Sequence, residues 1–507
     1  MIQSIVLIVV SMVFAQLATA QVTEPLKIDT GLISGVARGD VNVFKGIPYA
    51  KPPVGDLRWR APQPVNPWPD VRAADRFGDK CVQLPRPSTL GNTQKLENMS
   101  EDCLTLNVFV PKGASGPLPV MVWIHGGGFT RGWSSQPRLD GEAFARGGTV
   151  LVSLNYRLGR LGVFAHPALS AENADDGRLG NYGLMDQIAA LRWVQRNVAA
   201  FGGDPNNVTI FGESAGGLSV NALMVSPLAR GLFHRAISQS GYGRGGFNRM
   251  TSDTRDGRRA ALTEGIELAE AVGVSGNDLT ALRAVPATEI IEQPMSPGYL
   301  YFVLDGKVLT DDLWDAFRNK KEAPVPFMLG SNSHEFPGVP WTERRADLRY
   351  FVEDHTHARL ASAYGGPEVL EDHLMSDYLF TQQARALARM HSQNGYPTFL
   401  YLYSVVDDAA AARGEGARHA TEIPYVFNTL SIGDLAGSGP HYAVARTLNA
   451  TWRSFAETGE PNGSGLMHWP DYASNQIMEF KLHSQSVHRD VRNDRLDALS
   501  ALVDDRS

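Results

Sequence analysis

Gly212-Glu213-Ser214-Ala215-Gly216 sets a serine between two glycines, directly after the apolar run Val208–Phe211 and before a stretch of helical character. Small residues on both flanks let the chain turn so sharply that the Ser214 hydroxyl is presented at the end of a strand, the geometry of a nucleophile elbow. A serine displayed in this way attacks an acyl carbon when three further groups meet it. These are a base to take its proton, a carboxylate to orient the base, and N–H donors where the oxyanion forms. The donors are legible: His125-Gly126-Gly127-Gly128-Phe129 follows an apolar run, and successive glycines let backbone amides approach a substrate oxygen. The amides of Gly127, Gly128 and Ala215 are the expected oxyanion hole, and each such donor is worth about 3 kcal/mol in a transition state.

Position alone leaves the acid and the base open. Glu335, just past the apolar run Val325–Leu329, sits where a loop carboxylate is needed, and Asp305 is the alternative. Among thirteen histidines, His419 stands in a late loop after the run ending near Val405, with His334, His441 and His468 as rivals. No Cys/His cluster has ligand spacing, so neither a metal nor another cofactor is expected.

The elements that must position these residues are strands and helices in alternation. Leu104–Val110, Val120–His125 and Val150–Asn155 read as strands, Glu142–Arg146 as a helix, and Leu184, Ile188, Leu191, Val194 and Val198 share one helix face. Beyond the elbow, strands are expected at His234–Gln239, Val325–Leu329, Thr398–Val405 and Ile477–Leu482, with helices over Arg446–Thr458 and Arg495–Val503. The alternation predicts an α/β fold with a large, mostly parallel sheet covered by helices. Ile28–Phe44 alternates as an antiparallel meander would, and the Pro- and Trp-rich stretch from Phe44 to Asp70 reads as an extended surface wrap. Phe201-Gly202-Gly203 closes a helix, and Asp204-Pro205 reads as a turn. Between Gly241 and Ala323 the strand signal fades, and a helical insertion over the carboxyl edge of the sheet is expected.

With 43% hydrophobic and 20% charged residues among 507, the chain has the composition of a soluble globular protein. A net charge of -7 argues against nucleic acid as a partner. Ile2–Ala20 carries no charge and has an apolar core ending in Ala18-Thr19-Ala20, as a signal peptide would. A secreted or periplasmic protein is therefore expected, with residues 21–507 as one domain; an uncleaved anchor is the alternative, although the run is short. No second stretch reaches spanning length, so no membrane span is expected after cleavage. The two cysteines, Cys81 and Cys103, allow a single pairing, and in an exported chain they suggest one disulfide worth about 3 kcal/mol.

Several segments resemble the type-B carboxylesterase family. They are Glu101–Pro111 (EDCLTLNVFVP), Phe201–Gly216 (FGGDPNNVTIFGESAG), GIPYAKPPVGDLRW, HGGGF, VSLNYRLGRLGVF and GNYGLMDQIAALRWV. The resemblance runs from about Thr30 to the C-terminal helix and is weakest between Arg244 and Tyr301. It implies an α/β-hydrolase fold and a serine hydrolase acting on small-molecule esters through an acyl-enzyme. The family's nucleophile, acid and base fall on Ser214, Glu335 and His419, its oxyanion amides on Gly127, Gly128 and Ala215, and its N-terminal disulfide on Cys81 and Cys103. Two residues depart from the family pattern: Phe336 and Ala420 stand where glycine is usual. Arg58 with Glu101, and Arg157 with Asp186, correspond to loop-holding ion pairs, and Glu213 to a buried hydrogen-bonding partner. Cholinesterases carry an aromatic cation site in the first disulfide loop, but Cys81–Cys103 holds no Phe, Trp or Tyr, which argues against a choline ester. Phe129, Trp133, Tyr301, Phe302 and Trp341 are candidate pocket residues. An amidase preference and a non-catalytic adhesion module on the same fold remain the alternatives.

Overall fold

The computed structural model describes residues 21–85, 97–113, 116–242, 247–254, 258–294, 302–337, 354–431, 439–490 and 492–504. The expected leader, Tyr301 and Trp341 lie outside them. Runs rich in Val, Ile, Leu and aromatic residues form the strands of one large sheet. They are β1 (Gln21–Val22), β2 (Val36–Arg38), β3 (Val41–Pro48), β4 (Thr105–Pro111), β5 (Leu118–Ile124), β6 (Val150–Leu154), β7 (Gly203–Glu213) and β8 (Arg235–Gln239). The remainder are β9 (Phe327–Asn332), β10 (Thr398–Tyr403), β11 (Ile477–Phe480) and β12 (Gln485–His488). Their spatial order is β1-β2-β3-β4-β6-β5-β7-β8-β9-β10-β11-β12. From β6 to β11 every pairing is parallel, while β1–β4 and β12 add antiparallel edges.

Strand β5 shows why the central runs are apolar throughout. Val120, Val122 and Ile124 point into one core, and Met121 and Trp123 into the core on the opposite face. Helices α1 (Glu142–Arg146), α2 (Tyr182–Asn197), α3 (Ala215–Val225), α4 (Pro367–Ser376), α5 (Gln382–Gln393), α6 (Gly439–Thr458) and α7 (Asn493–Asp504) accompany the sheet. Each fully buried Val, Leu, Ile or Phe in these layers contributes about 1.5–3 kcal/mol.

Three expectations need correction. Asp204 and Pro205 do bend the chain, but inside β7 rather than ahead of it: Gly203 pairs with Leu118 and Val208 with Val120, so residues 204–207 bulge opposite a single residue, and Asp204 Oδ1 accepts from the Asn206 N–H at 2.8 Å. The glycine stop just before is real, since Gly202 takes a left-handed φ of 81° at the end of the short helix Val198–Phe201. Phe44–Pro48 is no surface wrap but part of β3, and Trp59 is packed inside, its indole N–H donating to Arg160 O at 2.8 Å. The insertion is mainly helical, yet Asn248–Arg249 and Val303–Leu304 pair in parallel within it. Beside Ile477–Phe480, β12 returns antiparallel, a strand for which the sequence carried no expectation.

Candidate active site

The parallel strands end on one edge, and the candidate residues leave from those ends. The register of β5 with β7 sets Ile124 beside Gly212, so the glycine run and the elbow start side by side. A Cβ on Gly212 would fall 2.6 Å from Ile124 O, and one on Gly216 only 2.1 Å from it. Only glycine permits this approach. Ser214 itself adopts φ 57° and ψ −121°, a strained conformation for a non-glycine residue, anchored by its N–H donating to Gln239 O at 2.9 Å.

The structure brings Ser214, His419 and Glu335 together. His419 Nε2 lies 2.9 Å from Ser214 Oγ, and Nδ1 lies 2.7 Å from Glu335 Oε2. The carboxylate orders the ring: Nδ1–H donates to Glu335, leaving Nε2 as acceptor for the serine hydroxyl. Glu335 also accepts from Ser240 Oγ at 2.6 Å and from Asn332 N at 2.8 Å, and the His419 N–H donates to Glu335 O at 2.9 Å. Ser240 and Asn332 carried no signal in the sequence, because their relevance exists only once β8 and β9 lie side by side.

The rival residues are occupied elsewhere. Asp305 accepts the amides of Lys307, Val308 and Leu309 within its own turn at 3.2, 2.9 and 3.0 Å. His441 Nδ1 sits 2.6 Å from the Tyr425 hydroxyl, and His334 Nε2 3.0 Å from Asp372 Oδ2. His468 is exposed.

Gly127 and Gly128 take φ of +113° and +63°, backbone that favours glycine. Among the described residues, their amides and that of Ala215 donate to no protein acceptor. Ala215 opens α3, whose positive dipole end faces the same place. His125 supports the cradle from below, stacked on Tyr156 at 4.4 Å, and burial holds its ring down to about 4, so it stays neutral.

A second carboxylate flanks the imidazole: Glu213 Oε1 is 3.2 Å from His419 Nε2. Burial pushes Glu213 up to about 8. Burial disfavours charge on His419 as well, but the carboxylates of Glu213, Glu335 and Glu422 outweigh it and raise the ring to about 9. The two groups are in direct contact, so the shift of each depends on the charge of the other. Glu422, also buried, accepts from Gln239 Nε2 at 3.0 Å and Asn332 Nδ2 at 2.8 Å, and the Trp452 indole donates to Gln239 Oε1 at 3.0 Å. This polar layer beneath the imidazole was not foreseen.

The two departures from the family pattern have distinct consequences. Phe336 packs its ring 4.8 Å from the His419 ring, Phe380 does the same at 4.8 Å, and the two phenyls are 5.6 Å from each other, so the three rings form one cluster. Ala420 is held at φ 65°, where a Cβ is strained. Of the candidate pocket aromatics, Phe129 and Phe302 are buried against each other at 4.9 Å, and the Trp133 ring carries Lys80 Nζ at 4.9 Å.

The expected supports are present. Cys81 and Cys103 form a disulfide with Cα atoms 5.0 Å apart. Arg58 Nε donates to Glu101 Oε2 at 2.8 Å and its Nη1 to Arg283 O at 2.9 Å, which ties the N-terminal segment to the insertion. Arg157 reaches Asp186 at 2.8 and 2.7 Å in a buried bidentate pair, and breaking such a pair costs about 3–5 kcal/mol.

The profile of the Carboxylesterase family matches residues 23–362 and 367–499. Fumonisin B1 esterase from Sphingopyxis macrogoltabida is 36% identical over 490 residues, covering 89% of this chain and 85% of that protein. Para-nitrobenzyl esterase from Bacillus subtilis (strain 168) is 36% identical over 469 residues, covering 87% and 91%. A solved PNB esterase superposes with a TM-score of 0.80 at 32% identity, over 94% of this chain and 99% of that one. With the α/β-hydrolase sheet and these likenesses, the chain belongs to the carboxylesterase family and is a carboxylic ester hydrolase.

Proposed function

We propose that Ser214, His419 and Glu335 form a catalytic triad that cleaves small-molecule carboxylic esters in two acyl-transfer steps. The observation that carries this reading is the pair of contacts on one imidazole, 2.9 Å to the serine hydroxyl and 2.7 Å to the glutamate. His419 takes the hydroxyl proton as Ser214 Oγ attacks the carbonyl carbon, and the resulting oxyanion accepts from the amides of Gly127, Gly128 and Ala215. Collapse of the tetrahedral species breaks the bond to the leaving oxygen, which His419 protonates. Water, deprotonated by the same ring, then frees the acid from Ser214. Glu335 orients the ring and stabilises the transient imidazolium.

The substrate panel starts from the esters that two relatives are named for, fumonisin B1 and para-nitrobenzyl esters, and adds aryl and alkyl esters of graded acyl length. Matching amides in the panel test ester against amide preference. An organophosphate labels Ser214 in the native protein, and Ser214→Ala lowers kcat by about 10⁴-fold or more with the fold intact. Full turnover in Ser214→Ala would overturn the triad.

Residues 1–20 are further proposed as a signal peptide, and the protein as secreted or periplasmic. N-terminal sequencing of the exported protein tests this: a first residue of Gln21 is expected, and an intact Met1 would overturn it.

A further inference from the structure

Beside the triad lies a second cluster of ligand-type side chains that the ester hydrolysis does not use. His334 immediately precedes Glu335 in the loop after β9, while Asp372 and His373 are neighbours in the last turn of α4. His334 Nε2 is 3.0 Å from Asp372 Oδ2, and His373 Nε2 is 3.9 Å from the same oxygen. The donor atoms of the three residues all lie within 4.8 Å of one another. Their two rings run alongside each other, centroids 4.4 Å apart, with both Nε2 edges toward that one carboxylate.

We infer that His334, Asp372 and His373 form a binding site for a borderline-soft divalent cation, of which Zn²⁺ is the type. Bonds of about 2.0–2.2 Å around a tetrahedral ion place neighbouring donors roughly 3.4 Å apart. Two separations, 3.0 and 3.9 Å, fall on either side of that edge and no donor pair exceeds 4.8 Å, so closing on an ion needs a shift of about 1.4 Å or less. Two imidazoles with one carboxylate suit Zn²⁺ rather than Mg²⁺, which prefers oxygen and keeps its water. The His373 ring also lacks the partner that a structural histidine would have. Its Nδ1 is buried without a hydrogen bond among the described residues, and 3.9 Å is too long for one from Nε2.

Access and support are both provided. The His334 side chain is 8% exposed and fixed, whereas those of His373 and Asp372 are 23% and 41% exposed, leaving a side open for the ion and for water as fourth ligand. The His334 N–H donates to Ala417 O at 3.0 Å, so a bound ion would join α4 to the two loops that carry Glu335 and His419. Arg492 and Arg495 are cations in this neighbourhood, but they are paired with Asp490 and Asp377.

Untagged full-length protein, stripped with a chelator, is titrated with ZnCl₂ by calorimetry, with MgCl₂ as the parallel probe. One Zn²⁺ per chain, a Zn²⁺-dependent rise in melting temperature, and no Mg²⁺ binding are expected. His373→Ala and Asp372→Asn, both at half-buried positions of α4, each weaken Zn²⁺ by at least about tenfold. His419→Ala binds Zn²⁺ as the native protein does, which separates this site from the triad. No Zn²⁺ binding up to about 100 µM, equal affinity for Mg²⁺, unchanged binding in both α4 variants, or loss of binding in His419→Ala would each overturn the site.

Discussion

The two sides of the active site are held by different physics. Around Ser214 the chain is fixed by close approach: a Cβ on Gly216 or Gly212 would collide with Ile124 O, and the serine between them is left at φ 57°. Around His419 the chain is fixed by polar bonds. Glu335 alone accepts from His419, Ser240 and Asn332, and Glu422 with Gln239 lies beneath. Steric fixation is all-or-none, because a methyl group either fits or does not. Polar fixation is graded, because one bond can be removed while the rest persist. The difference teaches that the proposed nucleophile depends on shape, whereas the proposed base depends on charge.

Gly216→Ala breaks the steric side. Its Cβ would sit 2.1 Å from Ile124 O, so β5 and α3 must separate, at a cost above about 4 kcal/mol, with activity lost together with cooperative unfolding. Chemical denaturation beside an ester assay checks this; a stable, active variant would show that the elbow is not sterically set. Glu335→Gln tests the polar side. It is expected to lower kcat by about 10⁴-fold while the melting temperature falls only a few degrees, since shape is kept and the tautomer lost.

Glu213→Gln separates charge from hydrogen bonding. Carboxylates raise His419 to about 9, Glu213 foremost among them, and the base is competent only when neutral, so its titration forms the acid limb of kcat/KM. Removing that charge shifts the limb to lower pH by about one unit. An unmoved limb would mean that Glu213 is already neutral wherever the histidine titrates. The smallest effect belongs to Ala420→Gly. Relief of a left-handed alanine is worth about 1–2 kcal/mol, partly offset by the added freedom of glycine in the unfolded chain. The net is a gain of roughly 0.5–1 kcal/mol, read as a slightly higher melting temperature.

How far each side could be read beforehand follows from the same contrast. The elbow, the cradle and most strands were visible, because each is a contiguous run whose apolar period or glycine spacing carries its own signal. Asp204 and Pro205 misled only in place: their turn is present, but the pairing of β7 with β5 resumes on both sides of it and makes it a bulge. Phe44–Pro48 misled because a Pro- and Trp-rich composition hid a strand whose partner lies some sixty residues on, Phe44 opposite Val108. The choice of His419 among thirteen histidines rested on family likeness, because its contact with a serine hydroxyl 205 positions away leaves no mark in the sequence.

What this sequence determined unaided is local: where backbone can turn without a side chain, which runs must be buried on both faces, and which serine is thrust outward. What only the tertiary structure decided is which distant polar groups meet. Ser214 and His419 are 205 positions apart, and Glu335 and His419 are 84. Ser240, Asn332, Phe380 and Glu422 gain their roles by convergence alone. Backbone sterics act between neighbours in the chain and leave a pattern there, whereas charge and hydrogen bonding act through space and leave none.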